Sequence, residues 1–176
     1  MKTALGEESL ALCDHAERIA KSEWLFVEGY LLANPGTGQE AVAEAIRVAK
    51  KHGVKVALTC SEAFIVHVFG DAFYKTLAQA DFLFSNATEA MAVTGADSAK
   101  AAFEKLKDRV AGCVVTDGPH GAYIRYAGEE VHVPAFECKP KDLTGAGDMF
   151  AGAFLYGITQ GLSPAIAGRG ANFLSH

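Results

Sequence analysis

Residues 141–156, KDLTGAGDMFAGAFLY, place a glycine-rich turn directly before an apolar helix. Gly145 and Gly147 allow backbone conformations and close approaches that a side chain would block. The first amides of a helix have no partner within the helix, and the helix dipole adds partial positive charge at that end. The stretch therefore predicts a phosphate cradle that is formed by the amides of Gly145, Ala146 and Gly147.

Asp148 follows this cradle at once and lies at the mouth of a site for negative charge. One interpretation is structural, because an acidic residue in the first turn of a helix is favoured for capping and dipole reasons alone. The other is catalytic: the carboxylate accepts the proton of a hydroxyl group while that group is phosphorylated. A bare G-x-G-D pattern favours the structural interpretation.

Length and composition indicate one globular domain, since the 176 residues are 50% hydrophobic and 21% charged. The net charge of −5 and the lack of a basic cluster argue against a nucleic-acid partner. The sequence has no signal peptide and no run of about 18 apolar residues, so neither export nor a membrane partner is expected. The cysteines have no metal-ligand spacing, which is typical of thiols in a reducing cytosol; they are Cys13, Cys60, Cys113 and Cys138.

Helical and strand patterns alternate along the chain. Helices are predicted at residues 7–22, 39–52, 61–79 with a break near Gly70 and a cap at Ser61, 97–109, 145–160 and from Ser163 onward; strands are predicted at 24–31, 54–59, 81–85, 112–116, 122–126 and 130–133. The first strand reads as buried on both faces, and the last two read as an antiparallel pair. This order predicts an α/β fold with a mostly parallel sheet and helices on both of its faces.

Two further loops follow strands. Residues 86–89, NATE, are typical of a helix cap with an acidic first turn. Residues 116–121, TDGPHG, are on their own typical of a tight turn between strands. Because α/β folds place ligands at the carboxyl ends of their strands, we expect these two loops to converge with the loop that begins near Asp142.

The pattern D-x-T-G-A-G-D-x-F followed by AGAF, at residues 142–154, resembles the motif of the ribokinase-like sugar and nucleoside kinases, also called the phosphofructokinase-B family. Leu143 departs from the threonine that the family most often has there. The N-x-x-E at residues 86–89 and the T-x-G-x-x-G at 116–121 resemble two more family motifs, in the family's order. The resemblance implies a ribokinase-like fold and ATP-dependent phosphorylation of a sugar or nucleoside hydroxyl.

In such a kinase, Asp148 would be the catalytic base, beside the anion cradle of Gly145, Ala146 and Gly147. Asn86 and Glu89 would organise Mg²⁺ and the ATP phosphates, with Glu89 acting through water. The other nucleotide-binding residues would be Thr116, Asp117, Gly118, Gly121 and, beside the adenine, Asn172. Asp142 and Thr144 resemble positions that bind a monovalent cation such as K⁺, and an equal alternative is that Asp142 only caps the turn.

The resemblance covers the chain but matches only the latter part of such a kinase. We therefore expect residues 1–176 to form a single α/β nucleotide-binding core without the lid, truncated at both ends. An unpaired sheet edge in such a core would favour a homodimer. The alternative function is an inactive nucleotide-binding or structural fragment, whereas a Rossmann-type oxidoreductase is excluded because no G-x-G-x-x-G follows the first strand.

Overall fold

The computed structural model describes residues 15–136 and 144–175, and the chain divides into two compact units between Leu83 and Phe84. The elements of the first unit are residues 15–20 (α1), Trp24–Glu28 (β1), the 3-10 helix Gly29–Ala33, Thr37–Lys51 (α2), Lys55–Thr59 (β2), Ala63–Val68 (α3), Gly70–Leu77 (α4) and the start of Phe82–Asn86 (β3). β1 and β2 pair in parallel. α2 ends at Lys51, close to the predicted end at residue 52, and is followed by Gly53, whose φ of 71° does not continue a helix.

The first strand is shorter than predicted and ends at Glu28 rather than at residue 31. At Gly29 the backbone packs against the end of β2: a Cβ there would clash with the Cys60 carbonyl and lie 2.7 Å from the Thr59 oxygen. The chain then turns into the 3-10 helix. The prediction that this strand is buried on both faces was wrong, since Val27 is buried but Phe26 is exposed.

The predicted cap at Ser61 was also wrong. Ser61 has a φ of 65°, and the Glu62 amide donates to the Cys60 carbonyl at 2.8 Å, which makes a tight turn around Ser61. α3 begins after Glu62, and the Ser61 hydroxyl instead accepts from the Tyr30 amide at 3.3 Å. The predicted break near Gly70 is confirmed by the separation of α3 from α4.

The elements of the second unit are the rest of β3, Ala87–Thr94 (α5), Ala99–Lys105 (α6), the 3-10 helix Leu106–Asp108, Gly112–Thr116 (β4), the 3-10 helix Gly118–His120, Ala122–Tyr126 (β5), Glu129–Val133 (β6), Ala146–Thr159 (α7) and Pro164–Leu174 (α8). β4, β5 and β6 pair antiparallel in succession. Ala127 and Gly128 both have positive φ and form the two-residue turn between β5 and β6. The sheet has six strands in chain order, β1 to β6, so the α/β class is confirmed.

Aromatic and small residues hold α7 and α8 in the second unit. Phe154 of α7 is fully buried, with ring centroids 6.1 Å from Phe84 and 6.4 Å from Tyr126. Gly157 lets α8 approach α7, because a Cβ there would lie 2.8 Å from the Ala167 Cβ. These contacts fix the helix that begins at the glycine-rich turn.

Arg125 of β5 is a buried charged residue. The Arg125 Nε donates to Glu130 at 2.8 Å and its Nη2 donates to the Phe103 carbonyl at 3.2 Å. The hydrogen bond from Arg125 holds the pKa of Glu130 below its usual value. Burial raises the pKa of the neighbouring Cys113 thiol to about 12, so this thiol stays neutral at physiological pH.

Within residues 15–136 and 144–175, no helix has the length and apolar character that crossing a membrane requires.

Candidate functional site

The predicted anion cradle is the first turn of α7. Gly145 is the N-cap residue in the left-handed conformation, with φ 76°, and no side chain caps this helix end. The first helical bond runs from the Met149 amide to the Gly145 carbonyl at 2.9 Å, which leaves the amides of Ala146, Gly147 and Asp148 without helical acceptors. Among the described residues, no atom lies within 4 Å of a Cβ placed at Gly145 or at Gly147, so these residues leave room for an anion to approach the amides.

Asp148 is exposed in this same turn. Among the described residues, no side chain or amide donates to its carboxylate, so it is not the cap of its own helix. The prediction that Asp148 is a base stays a prediction; the capping alternative lacks its hydrogen bond, whereas a favourable interaction with the helix dipole remains available to this carboxylate.

Asn86 and Glu89 form a capping box at the start of α5. The Glu89 amide donates to the Asn86 Oδ1 at 2.9 Å, and the Asn86 amide donates to the Glu89 Oε2 at 3.0 Å. The Asn86 Nδ2 also donates to the Glu89 Oε1 at 2.8 Å. Glu89 is only 7% exposed. The Glu89 carboxylate therefore has a structural role in the capping box, as residues 86–89 predict on their own.

The ends of β3 and β4 lie side by side in the sheet. The Ser85 hydroxyl donates to the Val114 carbonyl at 3.1 Å, and this bond is buried. Asn86 and Thr116 follow within two residues on these strands. The structure thus brings two of the three predicted loops to the same part of the second unit.

The loop at residues 116–121 is closed by its own backbone. The Asp117 amide donates to the Gly121 carbonyl at 2.7 Å, the His120 amide to the Asp117 carbonyl at 2.9 Å and the Gly121 amide to the Gly118 carbonyl at 3.1 Å. Gly118 and Gly121 have φ angles of 50° and 93°, which explains glycine at both positions. The predicted tight turn into β5 is confirmed.

Gly121 and Asn172 both contact the backbone at the end of β6. A Cβ at Gly121 would clash with the Val133 carbonyl and lie 2.9 Å from the Ala135 amide nitrogen. The buried Asn172 of α8 donates its Nδ2 to the carbonyls of Val133, at 3.4 Å, and Pro134, at 3.1 Å. Two predicted nucleotide-binding positions, far apart in sequence, therefore contact the same backbone segment.

Two predicted positions concern a cation. Thr144 is exposed and directly precedes Gly145, and Asp142 lies outside the described residues. Within the part of the chain that the structure describes, no group of three acidic, histidine or cysteine side chains is arranged to hold a metal.

One contact to the loop at residues 116–121 was not predicted from the sequence. His132 of β6 places its Nε2 2.8 Å from the His120 carbonyl oxygen. A signal was present, since the two-residue turn at Ala127 and Gly128 fixes the hairpin register and sets His132 opposite Tyr123, close to the loop.

A family model for the pfkB family carbohydrate kinases matches residues 3–175 of this chain. The chain belongs to that family. This pfkB chain is 35% identical over 127 residues to a deoxyribokinase from Salmonella typhi, which covers 69% of the chain and 40% of the relative.

Solved structures of two further proteins are similar to this pfkB chain. An adenosine kinase from Sinorhizobium meliloti has a TM-score of 0.83 and 31% identity, over 91% of this chain and 50% of that protein. A probable sugar kinase from Rhizobium etli CFN 42 has a TM-score of 0.84 and 31% identity, over 91% and 49%. The predicted family and its ribokinase-like fold are confirmed. The pfkB chain spans half or less of the length of each of these relatives.

Proposed function

We propose that this chain acts in an ATP-dependent kinase that phosphorylates a hydroxyl group of a sugar or a nucleoside. The first turn of α7 carries the proposal: it combines uncapped amides, glycines that face open space and the carboxylate of Asp148. The names of the relatives, a deoxyribokinase and an adenosine kinase, support an alcohol on a sugar or nucleoside as acceptor.

Asp148 would accept the proton of the acceptor hydroxyl as its oxygen forms a bond to the γ-phosphorus of ATP. The bond between that phosphorus and the bridging oxygen breaks, and ADP leaves. The amides of the first turn, at Ala146 and Gly147, would hold the charge on the transferred group. General-base help of this kind contributes about 10²- to 10⁴-fold in rate.

The loop from Thr116 to Gly121 and the segment held by Asn172 would receive the nucleotide. Gly118 leaves the backbone accessible where phosphates would approach, whereas Gly121 is required by its close packing against the end of β6. Thr116 contributes a hydroxyl group at the end of β4, and Asp117 follows it in the loop.

Mg²⁺ would neutralise charge on the phosphates, and the residues present fit it through water. Both Glu89 oxygens accept hydrogen bonds from Asn86, which fixes the orientation of the carboxylate, and Mg²⁺ commonly keeps several waters through which such a carboxylate can act. A monovalent cation such as K⁺ would lie beside the cradle, held by the backbone of Thr144 and by Asp142.

The test compares the unmodified chain with Asp148→Asn by calorimetry with Mg·ATP and by phosphoryl transfer to a panel of sugars and nucleosides. We expect Asp148→Asn to bind Mg·ATP at least as tightly, because a negative charge is removed from an anion site, and to lose transfer by about 100-fold or more. Asp71→Asn is the matched control, since Asp71 also lies in the first turn of a helix, α4, and has no proposed role.

Transfer by Asp148→Asn within tenfold of the unmodified chain would contradict the role of Asp148. Binding without any transfer in the unmodified chain would support the alternative, a nucleotide-binding chain that is inactive alone. Absence of Mg·ATP binding would refute the proposed function of this chain.

A further inference from the structure

His132 contacts the middle of the nucleotide loop from outside it. Its Nε2 lies 2.8 Å from the His120 carbonyl oxygen. A carbonyl oxygen can only accept, so in this contact the proton resides on Nε2 and the imidazole donates. The ring packs against Tyr123 on the neighbouring strand, with 4.6 Å between ring centroids.

Three backbone hydrogen bonds of the loop run between its own members, Asp117, Gly118, His120 and Gly121. The two ends of the loop are held by the sheet, where Thr116 pairs with Ala122 and Gly121 packs against the Val133 carbonyl, and the His132 bond adds an attachment at its middle. Gly118 and Gly121 also leave the backbone more conformational freedom than other residues would. The His132 bond connects the turn to β6, a strand whose register is set independently by the hairpin.

We propose that His132 is a positioning residue for the nucleotide loop: by holding the His120 carbonyl, it keeps residues 116–121 in the conformation that receives the nucleotide. The inference rests on the proposed function. His132 acts through the loop backbone and does not touch the reacting atoms, so its loss changes nucleotide affinity rather than the chemical step.

Two substitutions separate the parts of the His132 side chain. His132→Phe keeps a ring against Tyr123 and removes the donor, whereas His132→Gln keeps a donor amide and removes the ring. The exposed His67 of α3 provides the control substitution, His67→Phe. Thermal melting of each variant establishes that it is folded.

For His132→Phe we expect faster amide hydrogen exchange in residues 117–121 without ligand, and Mg·ATP affinity weaker by about three- to tenfold, the effect of one lost hydrogen bond. The kcat stays within about twofold, since no reacting group is changed. His132→Gln restores both the exchange rates and most of the affinity, and His67→Phe changes neither.

Unchanged exchange at residues 117–121 in His132→Phe would overturn the positioning role, whatever happens to catalysis. The same holds if His132→Gln is as impaired as His132→Phe. If the unmodified chain does not bind Mg·ATP, the proposed function fails and the role in nucleotide binding fails with it, while the exchange data still decide whether His132 holds the loop.

Discussion

Gly121 is the residue of the candidate site where packing leaves no room for a side chain. Its φ of 93° is in the left-handed region, and a Cβ would clash with the Val133 carbonyl. Gly128 has a similar φ of 83° but would place its Cβ in open space. The two glycines therefore share a positive φ and differ in what surrounds them.

Gly121→Ala should destabilise the chain more than Gly128→Ala. Both substitutions place a side chain at positive φ, which costs of order 1–3 kcal/mol of stability. Only Gly121→Ala also creates a clash with the Val133 carbonyl of β6. We expect the melting temperature of Gly121→Ala to fall by about 4 °C or more beyond that of Gly128→Ala. Equal melting temperatures in a calorimetric scan would contradict this close packing.

The capping box of α5 has two possible roles, to cap the helix and to organise Mg²⁺ and the ATP phosphates. Asn86 caps the helix, and its partner Glu89 is buried against it. Ser98 caps α6 by accepting from the Ala101 amide at 3.3 Å and has no predicted nucleotide role. This second cap allows the two roles of Asn86 to be separated.

Asn86→Ala and Ser98→Ala should each lower the free energy of unfolding by about 1 kcal/mol, since each removes a helix cap. Only Asn86→Ala should also weaken Mg·ATP binding, because Asn86 orients Glu89. Denaturant titration and calorimetry measure the two quantities. Equal nucleotide affinity in both variants would leave Asn86 with the capping role alone.

The sequence predicted well those elements whose boundaries are set by residues close to them in the chain. α7 begins within one residue of its predicted start at residue 145, α8 begins directly after Ser163, and β5 and β6 form the predicted antiparallel pair. The end of β1 and the turn at Ser61 were missed because both depend on contacts between residues about 30 positions apart. The same distinction holds in the site: the capping box is local, whereas the bond from His132 to His120 requires the paired strands.

For the molecule as a whole, the predicted homodimer stays a prediction. α7 and α8 expose large apolar side chains, among them Tyr156 at 68% and Phe173 at 66%. Exposed apolar groups of this size favour association. We expect sedimentation coefficients that rise with concentration, and a smaller rise for the double variant Tyr156→Lys, Phe173→Lys.

The matched control for association is Tyr30→Lys with Val68→Lys, which changes two exposed apolar residues of the first unit. This control should sediment like the unmodified chain. A single monomeric species at every concentration of the unmodified chain would refute the homodimer.

Among the residues that the structure describes, two buried thiols can report on local opening of the protein. Cys60 lies in the first unit and Cys113 in the second, and both side chains are fully buried. Thiol reagents attack the thiolate, and with a pKa of about 12 the folded Cys113 supplies almost none at neutral pH. Alkylation followed by peptide mapping would therefore time the opening of each unit separately, without any label being introduced.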